Sequence, residues 1–373
     1  MITRSIKKEE YPELITMVSN AFSYEKGEKI SRDFPLLFAQ ENLNHLWVAV
    51  DENAQKNKIT SHAASFFTQL RADGLEIPVG GIGGVCTLTE HQGKGLASTL
   101  VEQCCKDLVA QGAVLAFLWT GQHDFYRKQG FELVGRQWII SIDPSFETAL
   151  IQKSGVASTL RYVELLPGKE RETFFPDAYG KLMGSPLGVK RNFTQFSTLL
   201  NSAGCRVFAS YEGELLKSYM VMGKGKDLES YIHEWAGDGR ALLALLAHIL
   251  STEKQELKVL TPQFTPEEVS WIYTLDEIGI PMQPGFMAMV KILNFPLLQE
   301  LLIKRIEAVG LDIKKIIFER NGDTYSLGWD QDVFKDLSEL EVLSLLFGPE
   351  PPNHQVLGAI FPIRLWWWGM DSV

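Results

Sequence analysis

Between Val85 and Trp119 the sequence passes from an apolar strand through Glu90-His91-Gln92-Gly93-Lys94-Gly95 into an amphipathic helix and, one glycine later, into a second buried strand. The helix is predicted over about residues 95–111. Leu96, Leu100, Cys104 and Leu108 share one face, and Gly112 stands where a helix end favours a left-handed residue. The loop before it has the chemistry of an anion site. Its glycines allow close backbone approach, the first N–H groups of the helix point outward unpaired, and Lys94 adds a full charge. On these residues alone an ordinary glycine-rich turn remains an alternative. Two other phosphate loops fail on spelling. A Walker loop needs Ser or Thr after the lysine, where Gly95 stands, and a dinucleotide fingerprint starting at Gly93 needs Gly or Ala where Ser98 stands.

With 373 residues the chain is long for one core, and about 150 residues per domain predicts two or three domains. Tyr11, Leu14, Ile15, Val18 and Phe22 mark an opening helix. Apolar runs at 46–50, 59–70 and 77–88, separated by turn-rich residues 51–58 and 72–74, read as an antiparallel meander. A helical turn at 124–128 and a strand at 131–142 complete an α+β or α/β unit that closes at Asp143-Pro144. Helical pieces follow within 151–202, then strands at 206–211, 215–222 and 229–235, with a hairpin turn at 212–214. A helix at 239–251 and a strand at 256–261 come next. The strand, glycine turn, helix, strand order near residue 95 thus recurs, which points to an internal duplication. The last segment is expected to restart with a strand at 288–293, helices at 296–309 and 337–346, and strands at 313–319 and 324–329.

Composition removes several function classes. Lys and Arg number 36 against 46 Asp and Glu, and no basic run offsets the net charge of −10, which argues against a nucleic-acid partner. The first ten residues lack an apolar signal region. The longest apolar stretch, 241–250, is interrupted by His248 and falls well short of the ~20 residues that span a bilayer. The expectation is a cytoplasmic chain with no membrane insertion. Cys86, Cys104, Cys105 and Cys205 form no C-x-x-C pair and read as reduced thiols, with no metal site.

Gln92-Gly93-Lys94-Gly95-Leu96-Ala97 fits Q/R-x-x-G-x-G/A. Through this motif residues 1–144 resemble the GNAT superfamily of N-acetyltransferases. Gly84-Val85-Cys86-Thr87 before the loop and Leu118-Trp119-Thr120 after the helix reinforce the likeness. So does Phe125-Tyr126-Arg127-Lys128-Gln129-Gly130-Phe131, which is similar to the superfamily's FYxxxGF segment. The resemblance implies acetyl-CoA as co-substrate, its pyrophosphate on Gln92, Gly93, Lys94, Gly95, Leu96 and Ala97, with Gln92 replacing the commoner Arg and removing one charge. It also implies pantetheine contacts from Val85, Cys86, Thr87 and Thr120, and a Val85 N–H near the thioester oxygen, where negative charge develops as an amine attacks directly. Tyr126 would be the general acid that protonates the departing thiolate. A thiol near 8.5 and a phenol near 10 are close enough for that transfer. The alternative for Tyr126 is packing beside Phe125. His123 and Asp124, adjacent on a turn, are expected to diverge rather than form an acid/base pair.

Trp366, Trp367 and Trp368 precede Gly369-Met370-Asp371-Ser372-Val373. Chain ends fray unless tied down, so this aromatic ending is expected to be buried. The whole arrangement resembles the enhanced intracellular survival family of acetyltransferases. That likeness implies an active GNAT domain at 1–147, a degenerate GNAT-like domain at 148–286 and a sterol-carrier-like α+β domain at 287–373. It further implies an amine acceptor on a small molecule or peptide, a homo-oligomer, a hexamer in that family, and a terminal carboxylate, here that of Val373, acting as base in the active site. An α-carboxyl near 3.5 faces an alkylammonium near 10.4, a gap of about 7 units or roughly 9 kcal/mol. The role therefore requires burial, or a carboxylate that anchors the ammonium while its proton leaves through water.

The middle turn Gly237-Asp238-Gly239-Arg240 carries an acid that opposes a pyrophosphate, so one cofactor is expected; a second site using Arg240 is the alternative. The apolar faces at 297–306 and 337–346 are explained by core packing, and no lipid is assigned. N-myristoyltransferases, which also combine two GNAT halves, and a non-catalytic lipid or ligand carrier are the competing functions.

Overall fold

Leu14, Ile15 and Val18 bury one stripe of the helix Tyr11–Ala21, as their spacing of three and four dictates. That stripe packs on a long hairpin, Ile59–Ala72 with Leu75–Thr87, turned by Asp73 and Gly74, both at positive φ. The computed structural model describes the chain except for residues 26–28, 54–57, 203, 264, 266 and 267; part of the expected turn at 51–58 therefore lies outside the described residues.

A 13-stranded mixed sheet is the backbone of this α/β structure. From one edge it runs Ile2–Ser5, Leu46–Val50, Ile59–Ala72, Leu75–Thr87 and Leu115–Leu118, then Met282–Ile292, Glu132–Ile142, Leu257–Pro262, Asp227–Gly237, Leu215–Lys224, Arg206–Glu212 and Arg161–Leu165. The short strand Gly188–Val189 pairs with Ile59–Ala72 off this path. Ile316–Asn321, Thr324–Trp329 and Asp332–Leu337 form a separate antiparallel sheet.

Parallel pairs require a crossover, and a helix supplies it twice. Leu96–Ala110 carries the chain from Leu75–Thr87 to its parallel neighbour Leu115–Leu118. Gly239–Glu253 does the same between Asp227–Gly237 and Leu257–Pro262. Leu100, Cys104 and Leu108 are fully buried on the first, while the second is apolar nearly all round and embedded. The first ends on Gly112, with the Ala113 N–H donating to the Leu108 carbonyl at 2.9 Å.

Several segments differ from expectation: Arg161–Leu165 and Gly188–Val189 are strands among the helices within 151–202, and Asp332–Leu337 is a strand where none was expected. The strand expected at 288–293 runs Met282–Ile292 and inserts between Leu115–Leu118 and Glu132–Ile142, antiparallel to both. Gln283-Pro284-Gly285 hides its first half from periodicity, and the extended conformation comes from cross-strand pairing. The strand expected at 313–319 instead opens with the turn Ile313–Lys315, where the Asp312 carboxylate accepts from the Lys314 N–H, and the strand itself is Ile316–Asn321. Among the described residues no helix is long and apolar enough to cross a membrane.

Candidate active site

Leu75–Thr87 and Leu115–Leu118 stay paired only from Val79–Leu115 to Gly81–Phe117. Beyond that point the ladder stops and the two strands part. A bulge adds to the divergence. Gly83 pairs with Ala64 and Cys86 with His62, so Gly84 and Val85 together face the single residue Ala63. Gly84 sits at φ +61, and an added Cβ would approach the His62 ring to 3.0 Å. His62, fully buried, donates from Nδ1 to the Gly84 carbonyl at 2.7 Å and stacks on Phe38 at 5.9 Å. Burial pushes its imidazole down to about 4, so it is neutral and Nε2 carries no proton.

A cavity of about 1840 Å³ opens at this split, larger than the few hundred to ~1000 Å³ typical of one small ligand. Val85, Cys86 and Thr87 line it, as do Gln92, Gly93, Gly95, Leu96 and Ala97, and Thr120 and Tyr126. Gly93 and Gly95 are at φ +74 and +77, and Gly95 opens the helix with no side chain capping its first N–H groups. Helix 239–253 is the contrast: the Asp238 carboxylate accepts from the Ala241 N–H at 2.9 Å and occupies its start. Arg240 there donates to the Ser154 carbonyl at 2.8 Å. The uncapped amides fit a phosphate-bearing group at the first helix and not at the second.

Individual residues around the loop are committed in specific ways. Gln92 donates to the Thr87 carbonyl at 3.2 Å and ties loop to strand. Lys94 donates to the Glu90 carbonyl at 3.0 Å, so the cradle is made chiefly of backbone. The Thr120 hydroxyl accepts from the Gln122 N–H at 2.9 Å, and Asp124 is bonded to Arg127, away from any pairing with His123. Tyr126 is held edge-on by Phe125 at 4.8 Å and Phe131 at 6.0 Å. Burial pushes its phenol up to about 12, above the ordinary 10, so it remains a proton donor throughout the physiological range. Burial likewise lifts the Cys86 thiol to about 12; a thiol that stays protonated is a poor nucleophile, although it lines the cavity.

The chain's last residues form the opposite wall. Trp367 lies between Phe117 at 5.2 Å and Trp119 at 5.4 Å, and Trp366, Trp367, Ser372 and Val373 all face the cavity. Gly81 and Gly83 make the room: an added Cβ would overlap the Val373 side chain at the first and its carboxyl carbon at the second. Two buried cations anchor this tail. Arg191 binds Asp371 at 2.6 and 2.7 Å and Glu234 at 2.5 Å, while Tyr219 donates to Glu234 at 3.2 Å. Lys224 donates to the carbonyls of Gly369, Met370 and Ser372 at 3.2, 3.1 and 2.5 Å.

Sequence reasoning missed His62, Arg191, Lys224 and the two tail-facing glycines. The run Gly80-Gly81-Ile82-Gly83-Gly84 inside a strand was the available signal, since mid-strand glycine marks close backbone approach. The cations carried none, because their partners lie far along the chain.

Residues 3–134 match the model of the acetyltransferase (GNAT) domain, so this stretch of the chain is similar to that domain. No curated protein sequence matches the chain. Among solved structures, a GCN5-related N-acetyltransferase from Anabaena variabilis is similar with a TM-score of 0.66 at 14% identity, covering 100% of both chains. One from Kribbella flavida gives 0.59 at 15%, over 90% of this chain and 84% of that one. Eis1 from Mycobacterium abscessus gives 0.56 at 12%, over 93% and 90%. At these identities the likeness is one of fold.

The buried histidines set an acid limit on stability. His62 and His233 are both neutral, each depressed by burial from 6.5 to about 4. Between those values the unfolded chain binds more protons, so stability falls as pH drops from 6.5 towards 4, by about 3 kcal/mol per imidazole at the lower end. Urea midpoints at pH 7 and pH 4.5 measure this; equal midpoints would contradict it.

Proposed function

We propose that this protein is an acetyl-CoA-dependent N-acetyltransferase that moves the acetyl group to a primary amine of a small molecule or peptide by direct attack. The observation that carries the reading is that one cavity joins an uncapped helix start, a bulged strand, a buried tyrosine and the Val373 carboxyl group. Acetyl-CoA supplies an activated thioester. Backbone N–H groups of residues 93–97 bind its pyrophosphate, and the bulge at Gly84-Val85 offers an N–H to the thioester oxygen as charge develops there.

Tyr126 donates the proton that the leaving thiolate takes up. The Val373 carboxylate, walled by Trp366 and Trp367, orients the incoming ammonium and accepts its proton directly or through water. The Cys86 thiol stays protonated in this scheme, which favours direct attack over an acyl-enzyme intermediate. Residues 1–147 are the active GNAT domain in this reading and 148–286 a degenerate copy whose helix start is filled by Asp238. Residues 287–373 are a sterol-carrier-like segment that delivers the tail.

A screen of CoA release from acetyl-CoA against aminoglycosides, polyamines and lysine-containing peptides tests the activity; release that never depends on an added amine rules the reading out. Tyr126→Phe is expected to lower kcat by about 10²–10⁴-fold while sparing the KM for acetyl-CoA, and unchanged kcat would remove Tyr126 as the acid. Residues appended after Val373 are expected to abolish turnover with circular dichroism unaltered. Full activity in that variant excludes a role for the Val373 carboxylate.

A further inference from the structure

Lys224 ends the strand Leu215–Lys224 and is 1% exposed. Its ammonium contacts one short segment: the carbonyls of Gly369, Met370 and Ser372, and the Ser372 hydroxyl at 3.0 Å. The Phe34 ring centroid lies 4.3 Å away. The three carbonyls belong to and follow the turn Gly369–Asp371, where the aligned peptide dipoles are negative and a cation is favoured. Ser372 Oγ closes the turn by donating to the Gly369 carbonyl at 2.8 Å.

The charged groups around Lys224 are Asp371, Asp227, Arg191 and Asp33, and the nearest acid on the tail, Asp371, is already bound to Arg191. Lys224 is thus held by carbonyls and an aromatic face, without a salt bridge among the described residues. Burial pushes it down to about 7, a sign that the charge is costly where it stands. Against that desolvation cost the lysine supplies donors, fixed in place, to three carbonyls of the tail.

That geometry reaches the cavity from two sides. The tail wall of Gly369, Ser372 and Val373 faces it, and so do Lys226, Asp227 and Leu228 at the tip of the hairpin that Lys224 begins. We propose that Lys224 is a positioning residue that locks residues 369–372 to this hairpin and so sets Val373 against Gly83 at the strand split. The inference rests on the reading of Val373 given above. Lys224 itself is not among the residues that line the cavity.

Lys224→Met and Lys224→Arg in the 373-residue chain test it, together with a variant lacking Val373. Two quantities are read: steady-state kinetics, and release of valine by a carboxypeptidase, normalised to the free peptide Gly-Met-Asp-Ser-Val. Lys224→Met is expected to keep the KM for acetyl-CoA, to lose about a hundredfold in kcat through a misplaced tail, and to release valine at least about tenfold faster. Cooperative thermal unfolding and the circular dichroism spectrum are expected to be retained, which separates a loosened tail from a misfolded chain. Lys224→Arg restores part of kcat and of the protection.

Wild-type trimming in Lys224→Met overturns the clamp, and faster trimming with wild-type kcat overturns its role in positioning. Intact turnover in the variant lacking Val373 overturns instead the reading of the carboxylate, and trimming alone then decides whether Lys224 holds the tail.

Discussion

The ladder between Leu75–Thr87 and Leu115–Leu118 ends at Gly81–Phe117, and the rest of the site follows from that early end. Two strands that stayed paired would fill the space where the cavity lies. Once they part, backbone groups on the Gly84-Val85 side are freed from the ladder, and a bulge fixes which of them face inward. His62 holds the bulge from behind, bonded to the Gly84 carbonyl with its ring against the missing side chain of Gly84. The helix Leu96–Ala110 begins close by, with its N-terminus open to the same cavity.

A split sheet is also a liability, because it exposes apolar side chains and unpaired backbone. Here the far end of the chain covers part of it. Trp367 packs between Phe117 and Trp119, and Val373 fits the space left by Gly81 and Gly83. The insertion of Met282–Ile292 beside Leu115–Leu118 completes the wall, and Trp119 donates to the Met287 carbonyl at 2.8 Å. The tail therefore depends on charges outside the first 150 residues: Arg191 with Asp371 and Glu234, and Lys224 with three carbonyls. Removing one member of the Arg191, Asp371 and Glu234 cluster costs more than the cluster contributes, since a buried charge is left uncompensated.

Local chemistry was legible in the sequence. The loop Gln92–Ala97, the helix after it with Gly112 at its end, and the turn bearing Tyr126 could each be placed because the signals lie within a few residues of one another. The mixed α/β class followed from the order of elements. Illegible were the features made by distant segments meeting. The strand expected at 288–293 read as the start of a new unit, because Gln283-Pro284-Gly285 breaks the strand pattern that the sheet imposes over Met282–Ile292. Lys224 lies beyond the strand expected at 215–222, and only the fold brings residues 369–372 onto it. The phenol of Tyr126 was expected near its ordinary value, whereas the packing of Phe125 and Phe131 and its depth raise it to about 12.

The proposal stands or falls on where the nucleotide goes. A crystal structure of the protein with CoA measures this directly. The account predicts pyrophosphate oxygens within hydrogen-bond distance of the N–H groups of residues 93–97, with the sulfur beside the Tyr126 hydroxyl. Density for the pyrophosphate at the Asp238 end of Gly239–Glu253, or anywhere outside the split between Leu75–Thr87 and Leu115–Leu118, would contradict it.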